Sequence, residues 1–452
     1  MKKINKTFAT VGAFLFFCVA VAGYQFYDSS PNRETQSSKK SKIIEGRDLE
    51  LGAVKGQTDK VVDEPSALFN DPAIKQAWGL KKSDAARAWS VSKGSKDVIV
   101  AVIDTGVDEN HEDLKTNLWV NPGESGKDEK GRDKASNGID DDKNGFVDDV
   151  HGWNFVSNNN RLEDNHGHGT HIAGIIGAEA GNNKGISGIA PNVSLMVLKY
   201  FDPKVPNTDN LKNTVAAIQY AVKMGAHVIN YSGGGTDYSQ DEYDAVKLAE
   251  NKGILFVAAA GNERSNSDQH HYYPADYKLK NIISVTAIDP TTEVLPSSNY
   301  GTETVDIAAP GQNILSSLPH NSYGLMTGTS QATAFVTGAA VLVIAHKGQY
   351  FQAEEVKKYI LATGDTSSSL TAKTKTARQL NLFKSLTILS GENSTSGAMY
   401  VDVKKVPYTT DPNESTEANN VVRFGKNLLD AMQTKGVKKP TRLGQEPDTN
   451  QN

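Results

Sequence analysis

The C-terminal half of the chain contains a small-residue turn, Gly328-Thr329-Ser330-Gln331-Ala332-Thr333-Ala334-Phe335, that leads directly into an apolar run over 336–345. A run that is apolar on every side predicts a helix buried in the core. Ser330 would then lie at the N-terminus of this helix, where free N–H groups and the helix dipole favour developing negative charge. A Gly-Thr-Ser sequence can also be a simple N-cap. A catalytic interpretation therefore needs a base and an acid elsewhere in the chain.

Short runs rich in β-branched residues predict buried strands before this helix, and amphipathic or apolar segments between them predict helices. The predicted strands cover 98–103, 193–198, 227–230, 254–260, 282–285 and 305–308, and the predicted helices cover 168–178, 214–224 and 239–251. Strands that alternate with helices favour an α/β fold, a doubly wound and mostly parallel sheet with helices on both faces. Ligands of such sheets bind at the carboxyl ends of the strands.

Polar residues that suit catalysis stand at these strand and helix ends. Asp104 ends the first strand, and Asn262 follows the strand 254–260. Three histidines, His166, His168 and His171, lie close together before an apolar helix, but they lack the glutamate of a helical H-E-x-x-H zinc motif. We therefore expect one histidine to be a base and its neighbours to pack or form hydrogen bonds. Each position, taken alone, is equally compatible with a turn or a cap.

Three segments together resemble the motifs of the subtilisin-like serine endopeptidases, the subtilases. These are Val102-Ile103-Asp104-Thr105-Gly106-Val107-Asp108, His168-Gly169-Thr170-His171-Ile172-Ala173-Gly174 and Gly328-Thr329-Ser330. The similarity covers roughly residues 70 to 385 and follows the family's Asp, His, Ser order. It implies that Ser330 is the nucleophile, His168 the general base and Asp104 its orienting carboxylate. Asn262 and the Ser330 backbone N–H would form the oxyanion hole.

Two functions other than peptide hydrolysis are compatible with an α/β fold. A catalytically inactive binding protein on the subtilase fold is the alternative, and the intact set of residues argues against it. A nucleotide-binding α/β protein is disfavoured because no Gly-x-Gly-x-x-Gly follows the first strand and no P-loop lysine is present. Gln331 departs from the family, which usually places methionine after the serine, and Ala334 stands where proline is usual. No triad position is altered.

The resemblance also implies a substrate-binding region and a restricted pocket. Glycines allow the backbone of an extended peptide to approach the protein backbone. The residues implied to bind substrate are Ser232, Gly233, Gly234, Ala259, Gly261 and Tyr272. Tyr272 falls at the floor of the pocket for the P1 side chain, where many relatives carry glycine, so we expect this pocket to be shallow.

A dense acidic loop, residues 137–149, suggests structural Ca²⁺. Carboxylates and amides at alternate positions, with a glycine for a sharp turn, match the start of an EF-hand-like loop. The proposed ligands are Asp140, Asp142, Asn144, Asp148 and Asp149. A solvated acidic surface loop is the alternative. The resemblance implies a second calcium site at Asp71, Asp113 and Asn182.

Composition and chain ends predict an exported, multi-segment protein. The net charge of −5 argues against a nucleic-acid partner, and the single cysteine, Cys18, excludes an intrachain disulfide. A basic start and a short apolar run predict a signal peptide over 1–23. We expect a pro-segment or linker over 24–69, a peptidase domain over 70–386 and a low-order extension over 387–452. The mature form is expected to be a secreted (extracellular or periplasmic) monomer, made as a zymogen, that acts on proteins or peptides without stable membrane insertion.

Overall fold

The structure, a computed structural model, describes residues 64–348 and 352–388. The predicted signal peptide, nearly all of the predicted pro-segment and almost all of the C-terminal extension lie outside the described residues. The domain boundaries at the two ends therefore stay predictions.

Eight α-helices and eleven β-strands are formed by the described residues. The helices are α1 (Trp78–Lys82), α2 (Ala85–Val91), α3 (His168–Gly177), α4 (Asn210–Lys223), α5 (Gln240–Asn251), α6 (Thr329–Lys347), α7 (Ala353–Thr363) and α8 (Leu382–Thr387). The strands are β1 (Gly94–Asp104), β2 (Gly152–Asn154), β3 (Asn192–Lys199), β4 (Val228–Tyr231), β5 (Leu255–Ala259), β6 (Ile282–Ile288), β7 (Ile307–Pro310), β8 (Ile314–Leu318), β9 (Ser322–Met326), β10 (Asp365–Thr366) and β11 (Arg378–Gln379).

Nine of these strands form one sheet in the order β10-β11-β7-β6-β5-β4-β1-β3-β2. All neighbouring pairs are parallel except β10 with β11. The chain passes from β1 to β3 on one side and later to β4 on the other side, so the winding direction changes at β1. The predicted α/β fold with a mostly parallel sheet is confirmed. A crevice at the carboxyl ends of β1 and β4 follows from this topology.

The alternation of side chains along β1 divides the core between the two faces of the sheet. Val98, Val100 and Val102 join one buried cluster, which also contains α3, α6 and α7. Ala101 and Ile103 join the other cluster, which contains α4 and α5. Because both faces are covered by helices, the inner strands are buried and mostly apolar, which explains the hydrophobic runs in the sequence.

Helix α6 is the central helix of the first face. All of its residues from Thr329 to Ile344 are buried, as the apolar run predicted. It is the one helix among the described residues that is long and apolar enough to cross a membrane, but 89% of that segment is buried within the protein. A soluble core helix has the same properties.

Several parts of the chain differ from the sequence prediction, which did not include β2, α7, β10, β11 or α8. Helix α4 begins at Asn210 rather than at 214, because the Asp209 side chain accepts a hydrogen bond from Lys212 N at 3.0 Å and caps the helix. A hairpin of β8 and β9, which leads into the Ser330 turn, was not predicted. Its alternation is weak, since β9 has no fully buried residue.

Candidate active site

Asp104 and His168 are hydrogen-bonded partners at the carboxyl edge of the sheet. His168 Nδ1 lies 2.7 Å from Asp104 Oδ1, which also accepts a hydrogen bond from Thr105 N at 2.8 Å. Asp104 is the last residue of β1, and His168 is the first residue of α3. The two elements approach closely because position 169 is glycine. A Cβ atom there would lie only 2.1 Å from the Gly106 carbonyl oxygen.

The surroundings of His168 shift the pKa of its ring in opposite directions. Burial of the ring lowers its pKa, and the hydrogen-bonded Asp104 carboxylate together with the charge of Asp164 raises it. The net result is a pKa above the ordinary histidine value. Since Nδ1 donates its proton to Asp104, the neutral ring presents Nε2 as a free base.

Ser330 is the second residue of α6, and only 4% of it is exposed. Its hydroxyl donates to the Ser232 carbonyl oxygen at 3.1 Å, and Ser232 Oγ lies 3.4 Å from the Ser330 carbonyl oxygen. Within the described residues no hydrogen bond joins Ser330 to His168. The serine hydroxyl must therefore turn away from Ser232 before His168 can take its proton.

Asn262 is fixed by the residue that precedes Ser330. Its side-chain oxygen accepts hydrogen bonds from Thr329 N at 3.1 Å and from Thr329 Oγ1 at 3.3 Å. The side-chain NH₂ group has no acceptor among the described residues. An oriented amide with a free donor beside a serine at a helix N-terminus is suited to bind an oxyanion.

The predicted substrate-binding residues flank this centre. Ser232, Gly233 and Gly234 follow β4, while Ala259 ends β5 and Gly261 lies beyond it. The ring of Tyr272, which is only 5% exposed, lies between the two segments. A Cβ atom on Gly234 would be 2.5 Å from Tyr272 Cε1, and one on Gly261 would be 3.0 Å from Tyr272 Cδ2.

The other two histidines of the cluster have different surroundings. His171 Nε2 donates to the Ile314 carbonyl oxygen at 2.9 Å, and burial lowers the pKa of His171 to about 3. His171 is thus neutral at physiological pH and holds α3 against the β8–β9 hairpin. The His166 ring lies edge-on to His168, with 6.1 Å between the ring centroids.

The family model described as the subtilase family matches residues 95–385. The chain belongs to the subtilase family. Thermitase of Thermoactinomyces vulgaris is 35% identical over 302 residues, 66% of this chain and 92% of that protein. The major intracellular serine protease of Bacillus subtilis is 34% identical over 276 residues, 61% of this chain and 76% of that protein.

A longer relative matches only in part. Subtilisin-like protease 2 of Plasmodium falciparum is 34% identical over 294 residues, which are 63% of this chain but 20% of that protein. The chain thus spans about a fifth of the length of this relative. All three relatives are named as proteases, and the family to which this chain belongs is one of serine proteases.

The acidic loop of this subtilase forms a carboxylate cluster together with a residue that precedes it in the chain. Ligand atoms of Glu124, Asp142 and Asp149 all lie within 4.8 Å of one another. Glu124 and Asp149 are fully buried, and Glu124 Oε2 has no hydrogen-bond partner among the described residues. Burial raises the pKa of both carboxyls. Three carboxylates with an orphaned buried oxygen match the hard oxygen ligands that Ca²⁺ prefers.

The remaining predicted ligands of the loop make other contacts. Asp140 accepts from Asn144 N and Gly145 N, each over less than 3 Å, and Asp148 accepts from Gly138 N at 3.1 Å. The Asn144 oxygen accepts from Phe146 N, and its NH₂ group donates to Asp149 at 2.8 Å. Of the predicted set, only Asp142 and Asp149 join the cluster.

The second predicted calcium set lies around the 181–187 loop. Asp71 accepts from Gly181 N, Asn182 N and Ser187 Oγ. Asp113 accepts from Asn182 Nδ2 at 2.9 Å and from Ile186 N at 3.0 Å. The three residues are therefore brought to one place, but neither carboxylate has an orphaned buried oxygen.

Two residues of the site were missed from the sequence. Glu124 lies in a Pro-Gly-Glu turn 18 residues before Asp142. This separation in sequence matches no metal-binding motif, so it does not connect Glu124 with the acidic loop. Asp164 accepts hydrogen bonds at the start of α3 and from Thr105. An Asp shortly before a predicted helix is an N-cap signal that could have identified it.

Proposed function

We propose that this subtilase is a serine endopeptidase in which Ser330, His168 and Asp104 form the catalytic triad. The observation that carries the proposal is the 2.7 Å hydrogen bond between His168 Nδ1 and Asp104. It orients the free Nε2 of His168 at the sheet edge where Ser330 and Asn262 also lie. A serine hydroxyl becomes a competent nucleophile only when such a base removes its proton.

In the first step, Ser330 Oγ turns from Ser232 toward His168 and attacks the scissile carbonyl carbon as Nε2 takes its proton. Asp104 stabilises the imidazolium that forms. Asn262 Nδ2 and the Ser330 backbone N–H donate to the oxyanion of the tetrahedral intermediate. The nineteen-residue helix α6 adds the field of its N-terminus.

In the second step, the imidazolium gives its proton to the leaving amine, and the acyl-enzyme forms at Ser330. Water deprotonated by His168 then attacks the ester, His168 returns that proton to Ser330 Oγ as the ester bond breaks, and the new carboxyl end is released. The raised pKa of His168 suits both steps, because the same group must accept a proton and return it near neutral pH.

The P1 side chain of the substrate is proposed to be small. Support comes from the Tyr272 ring, which fills the space between Gly234 and Gly261. A large aromatic P1 side chain would need the same space, so we expect Ala and Gly to be preferred at P1.

Structural Ca²⁺ is proposed at the cluster of Glu124, Asp142 and Asp149. Three closely spaced carboxylates repel one another, and a bound cation would neutralise the two that are fully buried. A second ion at Asp71, Asp113 and Asn182 remains a prediction from the family resemblance. Each ion would stabilise surface loops that no disulfide can cross-link, since the chain has a single cysteine.

Secretion, synthesis as a zymogen and a monomeric state are also proposed. The basic and apolar N-terminal segment of the sequence supports export. One relative is named an intracellular protease, so fractionation of cells must show where this protein resides.

The activity is tested by hydrolysis of casein with the purified protein, wild type against Ser330→Ala. The expected result is cleavage by the wild type that is lost in the variant. A fluorophosphonate should label wild-type Ser330 in the same preparation, and mass spectrometry should find the tag on the peptide that contains this residue. Cleavage that survives Ser330→Ala would overturn the assignment. A folded wild type that neither cleaves nor reacts would favour the alternative, an inactive binding protein.

A further inference from the structure

Asp164 is a buried carboxylate that accepts five hydrogen bonds from the residues around the proposed triad. Its Oδ1 accepts from Thr105 Oγ1 at 2.9 Å, His166 N at 3.0 Å and Gly167 N at 2.8 Å. Its Oδ2 accepts from Thr170 N at 2.8 Å and Thr170 Oγ1 at 2.7 Å. Only 6% of the residue is exposed, so these donors are its main source of stabilisation.

These hydrogen bonds connect both partners of the His168–Asp104 pair. Thr105 directly follows Asp104, and Thr105 Oγ1 also accepts from Gly169 N at 2.9 Å. His166, Gly167 and Thr170 surround His168 at the start of α3. One carboxylate therefore determines how the end of β1 and the start of α3 are placed relative to each other.

A purely structural cap is the competing interpretation, and the molecule offers a matched comparison for it. Asp268 also accepts five hydrogen bonds, from Thr302 N and Oγ1, Glu303 N, and Thr304 N and Oγ1. None of these donors belongs to or adjoins the triad. Asp164 differs from Asp268 in its partners, and its charge also acts on His168, whose pKa it helps to raise.

We propose that Asp164 is a positioning residue for the general base, which it serves by holding the His168 ring on Asp104 through Thr105 and the start of α3. This inference rests on the proposed function. Asp164 makes no contact with substrate in the proposed mechanism, and its effect passes through the orientation and charge environment of His168.

The test compares Asp164→Asn with Asp268→Asn, and kcat is expressed per active site by titration with a fluorophosphonate. We expect Asp164→Asn to lower kcat by about 10-fold to 100-fold with little change in KM, since small misplacements of reacting groups have costs of this order. The acid limb of its kcat/KM profile should move to lower pH. Asp268→Asn should lower the melting temperature and leave kcat and the acid limb unchanged. Wild-type kcat and an unmoved acid limb in Asp164→Asn would overturn the proposal.

A second variant covers the case in which Asp164→Asn fails to fold. Thr105→Val removes one donor to Asp164 and the acceptor for Gly169 N but keeps the carboxylate charge, so kcat should fall while the acid limb stays in place. If neither variant folds, Asp164 is a structural residue and the proposal is wrong.

An NMR measurement separates this proposal from the proposed function. The ring signals of His168 are titrated in Ser330→Ala with and without Asp164→Asn, which needs no activity. A lower His168 pKa in the double variant supports positioning by Asp164 even if the wild type cleaves nothing. An unchanged titration contradicts it even in an active enzyme.

Discussion

Replacing Glu242 by glutamine should stabilise the protein above neutral pH. Glu242 on α5 is 4% exposed, and its Oε2 lies 2.9 Å from the Tyr277 hydroxyl. That hydroxyl also lies 2.9 Å from the Ser239 carbonyl oxygen. The hydroxyl has one proton for these two acceptors, so a protonated Glu242 can donate to Tyr277 while Tyr277 donates to Ser239. Glutamine supplies the same donor without an ionisable group.

The magnitude follows from the titration of this carboxyl. Burial raises the pKa of Glu242 from 4.5 to about 7. Between these values the unfolded chain releases the proton and the folded protein keeps it, so wild-type stability falls as the pH rises through this window. At about 1.4 kcal/mol per pKa unit, the loss is about 3 kcal/mol. Glutamine does not titrate, so Glu242→Gln should gain this amount above about pH 7 and almost nothing near pH 4.5.

The assay is urea unfolding at about pH 5 and about pH 8 in saturating Ca²⁺. Both proteins carry Ser330→Ala, so that self-digestion does not distort the transitions. Asp241→Asn is the control, because Asp241 is an exposed neighbour on the same helix. Removing the negative charge of Asp241 should destabilise the protein by at most about 1 kcal/mol, because that charge interacts favourably with the helix dipole at the N-terminus of α5. A Glu242→Gln effect that is equal at both pH values, or destabilising at the higher one, would refute the reasoning.

Four further changes test the proposed sites directly. Asn262→Ala should lower kcat by about 100-fold to 1,000-fold, the range known for loss of such a donor in subtilisin itself, with KM nearly constant; full activity would exclude Asn262 from the oxyanion hole. Tyr272→Gly should raise kcat/KM for Phe over Ala at P1 by at least about 10-fold on a P1-varied peptide series, while a wild type that already prefers Phe would contradict the small pocket. Chelation of Ca²⁺ should lower the melting temperature of the Ser330→Ala protein by about 5 °C. Glu124→Gln should lower it similarly in calcium and make it less sensitive to the chelator; full sensitivity in that variant would place the ion elsewhere.

The sheet and the triad candidates were predictable because their signals are local in sequence. The run from Val98 to Ile103 is apolar since β1 is covered on both faces, and Asp104 follows directly. His168 and Ser330 each begin a helix, and such helix starts can be recognised from small residues before an apolar run.

The sequence did not predict Glu124 in the carboxylate cluster, the hydrogen bonds within the acidic loop or the β8–β9 hairpin. Glu124 approaches Asp142 and Asp149 only because a turn folds back onto the acidic loop. The positions of these residues in the sequence do not predict this contact. The alternate positions of Asp140 and Asn144 predict ligands, and this stays a prediction; in the structure their oxygens accept from backbone N–H groups of the tight turn. The β8–β9 hairpin lacks clear alternation, since every residue of β9 is either exposed or only partly buried.

Ser330, the proposed nucleophile, lies on a helix that is buried from Thr329 to Ile344, which links it to the slowest opening motions of the molecule. The backbone amides of α6 that are hydrogen-bonded within the helix can exchange with solvent only when the core itself opens, whereas surface loops exchange through local fluctuations. Ser330 therefore cannot be displaced by fraying of a loop. Loss of the Ser330 geometry on heating should coincide with global unfolding, so the half-life at a given temperature is set by the barrier to opening the whole domain.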